Sequence, residues 1–194
     1  MNTDKKQALS VHLKAIRRML IVSVASVAVL FVLFFYLLCG PLVDFVLAPV
    51  RARGIEVITT SVSEALMMQF KVCLIAAVIA GMPVIIWQVW VFVAPALYPQ
   101  EKRLFAALFF VALLLFVGGV VFCYCLVFPM AIDLFWSAAD GVASTLWSVK
   151  EYFNFVLSFV LPFGLMFELP VVVYMLARRG LVTYQKLAHS RKYV

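Results

Sequence analysis

Four long apolar runs dominate the chain, separated by shorter polar or basic segments. They cover residues 19–39, 68–94, 104–128 and 152–177. Each holds about 20 residues or more, enough for an α-helix to cross a hydrocarbon core about 30 Å thick. Apolar and polar positions do not alternate strictly within them, so the strands of a lipid-facing barrel are not predicted. Helices are predicted because lipid gives backbone N–H and C=O groups no partners, and a helix satisfies them internally. The expected fold is an all-α, polytopic integral membrane bundle with four transmembrane helices. The segments 40–67 and 129–151 fall on one side, and 1–18, 95–103 and 178–194 on the other. The first two keep apolar stretches around Pro41, Pro49, Phe135 and Trp136 and are expected to form short amphipathic helices at the span ends. With no repeat and no soluble module, residues 1–194 read as a single membrane domain.

Composition supports the pattern. The chain is 66% hydrophobic and 13% charged, against roughly half apolar and a quarter charged in soluble domains. That excludes a soluble globule, and it excludes disorder. The net charge of +7 takes its meaning from its placement. Segments 1–18, 95–103 and 178–194 hold 12 of the 16 basic residues, and the opposite side holds six of the nine acids. Basic loops stay on the cytoplasmic side, so both termini are expected inside. The charge then serves topology beside anionic lipid, and no nucleic-acid partner is expected. Trp87, Trp90, Trp136 and Trp147 read mainly as anchors at the headgroup level. Arg17-Arg18-Met19-Leu20 resembles an export signal, but the apolar run behind it is too long and no small-residue cleavage site follows. It is read as an uncleaved first span.

Candidate chemistry is sparse. His12 and His189 lie at cytoplasmic positions with no nucleophile or metal-ligand spacing nearby. No catalytic residue, metal or cofactor is expected, and the chain does not read as an enzyme. Cys39, Cys73, Cys123 and Cys125 read as buried thiols, with a Cys39–Cys73 bridge as the alternative. Glu168 stands out, because a carboxylate within a span costs about 2.5 kcal/mol or more unless it is protonated, paired or turned to a polar cavity. Pro170, two residues on, withdraws a backbone donor and is expected to bend the helix. Either a functional site or a helix-fastening hydrogen bond fits Glu168. Glu101, in a Pro-bounded turn, is either a solvated charge or an acceptor for a guanidinium.

Several motifs carry a resemblance. His12-Leu13 and Arg17 precede the first span. Phe92-Val93-Ala94-Pro95-Ala96-Leu97-Tyr98-Pro99-Gln100-Glu101-Lys102-Arg103 forms the first cytoplasmic turn. Thr60-Ser61-Val62-Ser63-Glu64-Ala65 precedes the second span. Tyr124, Phe128-Pro129, Phe163-Gly164, Phe167-Glu168-Leu169-Pro170 and Arg191-Lys192-Tyr193 follow. Together they resemble the TatC family, the C subunit of the twin-arginine protein translocase, over essentially the whole chain. The resemblance implies a membrane receptor in a prokaryotic cytoplasmic membrane that binds paired-arginine signal peptides. It also implies self-association and assembly with TatA- and TatB-type single-span partners to export folded proteins on the proton-motive force. It assigns Glu101 to the arginine pair, Phe92, Pro95, Leu97 and Tyr98 to the apolar floor beside it, and Arg17 and Arg103 to the same surface. Glu168, Tyr124 and Pro170 become the intramembrane partner contact. One expected acid is replaced by Ala15, beside Lys14. The family has six spans, and the sequence stops after the fourth, so a truncated form is expected. Two other functions remain open on the residues alone: a small secondary transporter using Glu168 as proton site, and a structural assembly subunit.

Overall fold

The computed structural model describes residues 2–93, 102–139 and 146–178. Six helices run in chain order: α1 (Asn2–Leu37), α2 (Cys39–Arg51), α3 (Val62–Val93), α4 (Lys102–Phe122), α5 (Phe128–Ala139) and α6 (Val149–Arg178). A π-helical turn, Cys123–Val127, joins α4 to α5. Two short strands, β1 (Val57–Ile58) and β2 (Trp147–Ser148), pair in parallel. Four helical stretches are long and apolar enough to cross a membrane: Leu13–Leu37, Val62–Val91, Ala106–Ala139 and Val149–Met175. The helices outrun the expected span edges. α3 begins six residues before residue 68, and α4 continues through the π turn and α5 well past residue 128.

α3 and α4 are apolar nearly all round, as suits helices meeting lipid and neighbours on every side. α1 is the most lipid-exposed element, with no buried residue between positions 13 and 46. It leans on α3, where Phe31 and Phe35 meet Phe70 at centroid distances of 5.4 and 4.8 Å. Lower on the same contact Gly81 leaves room for Val27, which a β-carbon there would meet at 3.2 Å.

The main core lies toward the end of the bundle that holds α2, α5 and the two strands, here called the distal end. Val50, Cys123, Phe128, Ile132, Phe153 and Val156 are buried there, from α2, the π turn, α5 and α6. A smaller core toward the other end of the bundle joins Ile86 and Trp90 of α3, Ala112 of α4 and Val171 of α6. Trp90 therefore departs from the expectation of a headgroup anchor. Only 3% of its surface is exposed, whereas Trp87, one turn away, is half exposed and edges onto Phe109. The amphipathic helices expected beside the spans correspond to α2 and α5.

Glycines set the closest helix contact. A β-carbon on Gly164 of α6 would lie 2.7 Å from the Phe116 ring, and one on Gly119 of α4 would lie 3.0 Å from the Phe163 carbonyl oxygen. Helices in lipid lack a hydrophobic drive to associate and rely on such close packing.

Candidate functional site

The distal end is tied by polar bonds that start from local sequence. Ser61 precedes the first turn of α3 and Glu64 stands three residues later. This is a capping box, in which the acid reaches back to the cap's N–H. The Ser61 and Thr60 amides donate to Glu64 Oε2 at 3.0 and 2.5 Å, and Thr60 Oγ1 donates to it at 2.9 Å. Ser148 Oγ donates to Oε1 at 3.2 Å, so one carboxylate ties α3 to the β2–α6 junction. Glu64 is only 6% exposed. The sequence marks Glu64 as part of the Thr60–Ala65 motif before the second span but gives it no site role; its Ser-x-x-Glu spacing is the signal for the cap.

Arg53, in the turn after α2, holds α5. Its guanidinium donates to both Asp133 carboxylate oxygens, at 2.6 and 3.1 Å, and to the Pro49 and Pro129 carbonyls. Asp133 raises the Arg53 pKa above its ordinary value, chiefly through that hydrogen bond. Gly54 follows at φ +69°, a left-handed backbone that glycine adopts freely. Pro129 explains the π turn. It has no N–H for the Cys125 carbonyl, and the Phe128 N–H reaches back five residues to the Cys123 carbonyl. The widened turn presents Tyr124, which stacks on Phe45 at 4.4 Å and donates its hydroxyl to the Phe45 carbonyl at 2.8 Å. Tyr152 of α6 does the same for the Val46 carbonyl at 2.8 Å. Cys39 and Cys73 are free thiols.

Below this cap lies a concave apolar cavity of about 560 Å³, between α1, α2, α3, the π turn and α6. Phe34, Phe45, Ile79, Tyr124 and Val160 are among its lining residues. A second, polar cavity of about 510 Å³ lies at the distal end between α3 and α6.

Glu168 sits farther along α6, about 28 Å from its first residue by helical rise. It follows Phe167, which packs on Phe122 and against Gly119. Its Oε1 is buried without a hydrogen-bond partner among the described residues. α6 runs unbroken through Pro162 and Pro170, and Pro170 leaves the Met166 carbonyl without its helical donor. Tyr124 and Glu168 do not form one site, since Tyr124 belongs to the distal cap. Arg17 is exposed on α1, as are Lys14 and Ala15. Phe92 and Arg103 fall at the facing ends of α3 and α4. Pro95, Leu97, Tyr98 and Glu101 lie outside the described residues. Among the described residues no cluster suits a metal ion.

Comparison with known proteins gives one consistent result. The family model described as Sec-independent protein translocase protein (TatC) matches residues 11–194. The TatC protein of Carboxydothermus hydrogenoformans is 36% identical over 190 residues, which is 98% of this chain and 78% of that protein. The TatC protein of Haemophilus influenzae is 33% identical over 196 residues, covering 100% of this chain and 76% of its own. The crystal structure of a twin arginine translocase receptor, TatC, superposes with a TM-score of 0.86 at 35% identity, covering 94% of this chain and 81% of that one.

Proposed function

Because this chain belongs to the TatC family of Sec-independent protein translocase proteins, a multi-pass membrane scaffold, we propose that it is the receptor for signal peptides bearing paired arginines. The concave apolar cavity carries the proposal. It opens among four spans and offers about 560 Å³ of almost wholly apolar lining, suited to the apolar stretch that follows the arginines in such a peptide. The skew of basic residues supports placing both termini in the cytoplasm, so capture begins at the face that carries Glu101. Glu101 accepts an arginine of the peptide in a charge-assisted bond. Phe92, Pro95, Leu97 and Tyr98 form the apolar floor, and Arg17 and Arg103 orient the acid. The peptide's apolar stretch then enters the cavity beside Tyr124.

Glu168 serves the next step. A buried carboxylate oxygen without a partner among the described residues is an unfilled polar site at membrane depth. It takes a polar group from a TatA- or TatB-type single-span partner as the exporting assembly builds on the proton-motive force.

The departure at Ala15 bears on affinity. A charge-assisted hydrogen bond contributes about 1.5–3 kcal/mol, so a receptor with one acid instead of two binds its peptide about tenfold or more weakly. The test places a photo-crosslinker at Tyr98 or Gln100 and compares peptides carrying Arg-Arg and Lys-Lys. Labelling by the Arg-Arg peptide alone is expected, with loss of labelling in Glu101→Gln at unchanged expression. Equal labelling by both peptides, or full labelling of Glu101→Gln, would overturn the proposal.

A further inference from the structure

Four aromatic side chains at the distal end take no part in either step. Phe135 of α5, Trp147 of β2, and Tyr152 and Phe155 of α6 line a cleft of about 480 Å³ together with Leu146 and Glu151. Helical spacing explains part of the grouping, since Glu151 and Phe155 stand one turn apart on one face of α6. Phe135 meets Phe155 edge-on, with centroids 5.4 Å apart and planes at 82°. Trp147 and Tyr152 lie 6.3 Å apart at 42°. Rings tilted this far from one another form the walls of a cleft, whereas parallel rings would stack and fill it.

The lining fixes the sign of a ligand. Among the described residues, Glu151 is the one charged side chain in it. Glu151 is exposed and makes no ion pair among those residues. Lys71 and Lys150 border the neighbouring polar cavity, which Glu151 also touches, and neither pairs with it. Arg53, whose charge is felt at Tyr152, is already paired with Asp133. The two hydroxyls of the lining are spent, Tyr152 on the Val46 carbonyl and Ser148 on Glu64. The cleft therefore offers an anion no free side-chain donor among the described residues. Four aromatic rings and a carboxylate are instead the chemistry that holds an organic cation, because the face of each ring is electronegative.

Position decides which cation. The cleft lies at the first turn of α6, whose span begins at Val149, and span ends sit at the headgroup level. From Phe155 an aromatic ladder runs along α6 into the span, with Phe159 at 4.8 Å and Phe163 a further 6.2 Å on. All three rings are half-buried, so each keeps part of its surface open. The ladder covers about 12 Å of the helix axis. A cation-binding mouth with an apolar track descending from it fits a molecule that joins an ammonium group to an acyl chain. We propose that this cleft binds a phospholipid of the phosphatidylethanolamine class, its ammonium among Phe135, Trp147 and Phe155 and beside Glu151, and one acyl chain along Phe159 and Phe163. The cleft shares no lining residue with the apolar cavity assigned to the signal peptide, so the two proposals stand or fall separately.

The test is native mass spectrometry of the intact chain in detergent, titrated with palmitoyl-oleoyl phosphatidylethanolamine and with phosphatidylglycerol carrying the same chains. One ethanolamine lipid per chain should be retained, about fivefold or more in preference to the glycerol lipid. Glu151→Gln should lower retention of the ethanolamine lipid about fivefold and leave that of the glycerol lipid unchanged. Because Glu151 is exposed, this variant keeps its fold, which helical circular dichroism checks. Trp147→Leu should weaken retention in the same way, and Trp147→Phe should keep it. Equal retention of the two lipids, or an undiminished preference in Glu151→Gln, would show that the rings are headgroup anchors only and would overturn the site. Displacement of the bound lipid by millimolar ethanolamine would assign the cleft to a free ammonium ion and overturn the lipid.

Discussion

Two adjacent glycines in α4 offer a sharp test of how the spans are held together. A β-carbon added to Gly118 would have nothing within 4 Å, whereas one on Gly119 would meet Phe167 Cγ at 2.9 Å and the Phe163 carbonyl oxygen at 3.0 Å. Alanine is favoured over glycine inside a helix by about 1 kcal/mol. Gly118→Ala should therefore stabilise the bundle by about that amount. Gly119→Ala gains the same propensity and then overpacks the contact. The Phe167 ring can turn aside, but the Phe163 carbonyl belongs to the α6 backbone, so α6 itself must shift. Overpacking of this kind costs about 1–3 kcal/mol. The two variants should thus differ by about 1–3 kcal/mol, with Gly119→Ala the weaker. Reversible unfolding of the chain in mixed micelles, followed by helical circular dichroism, measures the gap. Identical unfolding of the two variants would refute the claim that α4 and α6 meet through Gly119.

Other expectations follow from single contacts. Tyr152→Phe removes the hydroxyl that donates to the Val46 carbonyl, and the same unfolding assay should show a loss of about 0.5–1.5 kcal/mol, the net contribution of one hydrogen bond, because Val46 lies inside α2 and its carbonyl keeps its helical donor. Mild oxidation should join Cys39 to Cys73, free thiols near enough to influence each other, with loss of two thiols by intact mass; Cys39→Ser should abolish that change. Glu168→Gln should leave the fold intact and weaken crosslinking of a single-span partner to α6; unchanged crosslinking would remove Glu168 from the contact. Ala15→Glu should tighten binding of an Arg-Arg peptide about tenfold, read by titration.

Hydropathy made the number and rough position of the spans legible, because lipid demands about 20 apolar residues of any helix that crosses it. It also exposed Glu168, since an acid inside an apolar run has few innocent explanations. Depth is written in such a pattern; azimuth is not. Nothing in the order Gly118-Gly119 says which of the two faces α6, and nothing in Trp87 and Trp90 says that only the second is buried. The distal cap escaped for another reason. Arg53 and Asp133 lie 80 residues apart, and no local rule pairs residues that distant. Glu64 was different, since its capping box was present in the sequence, but a carboxylate near a loop reads as solvated until the residues packed over it are known.

The polar groups of the described interior fall into two kinds. Tyr124, Tyr152, Glu64 and Arg53 each reach a partner on another element or turn, and together they join α2, α3, the π turn, α5 and α6 at one end. Hydrogen bonds between the elements of a membrane bundle contribute about 0.6–2 kcal/mol each, so the four together resist separation of those elements. The distal end is therefore the rigid part of the scaffold. Glu168 breaks the pattern, with a buried oxygen that none of the described residues satisfies. The described residues meet the polar demands of the cap and leave one carboxylate oxygen two-thirds of the way along α6 without a partner. On the receptor reading proposed above, a partner helix bringing a hydrogen-bond donor would meet this need at Glu168, which is what the crosslinking comparison with Glu168→Gln tests.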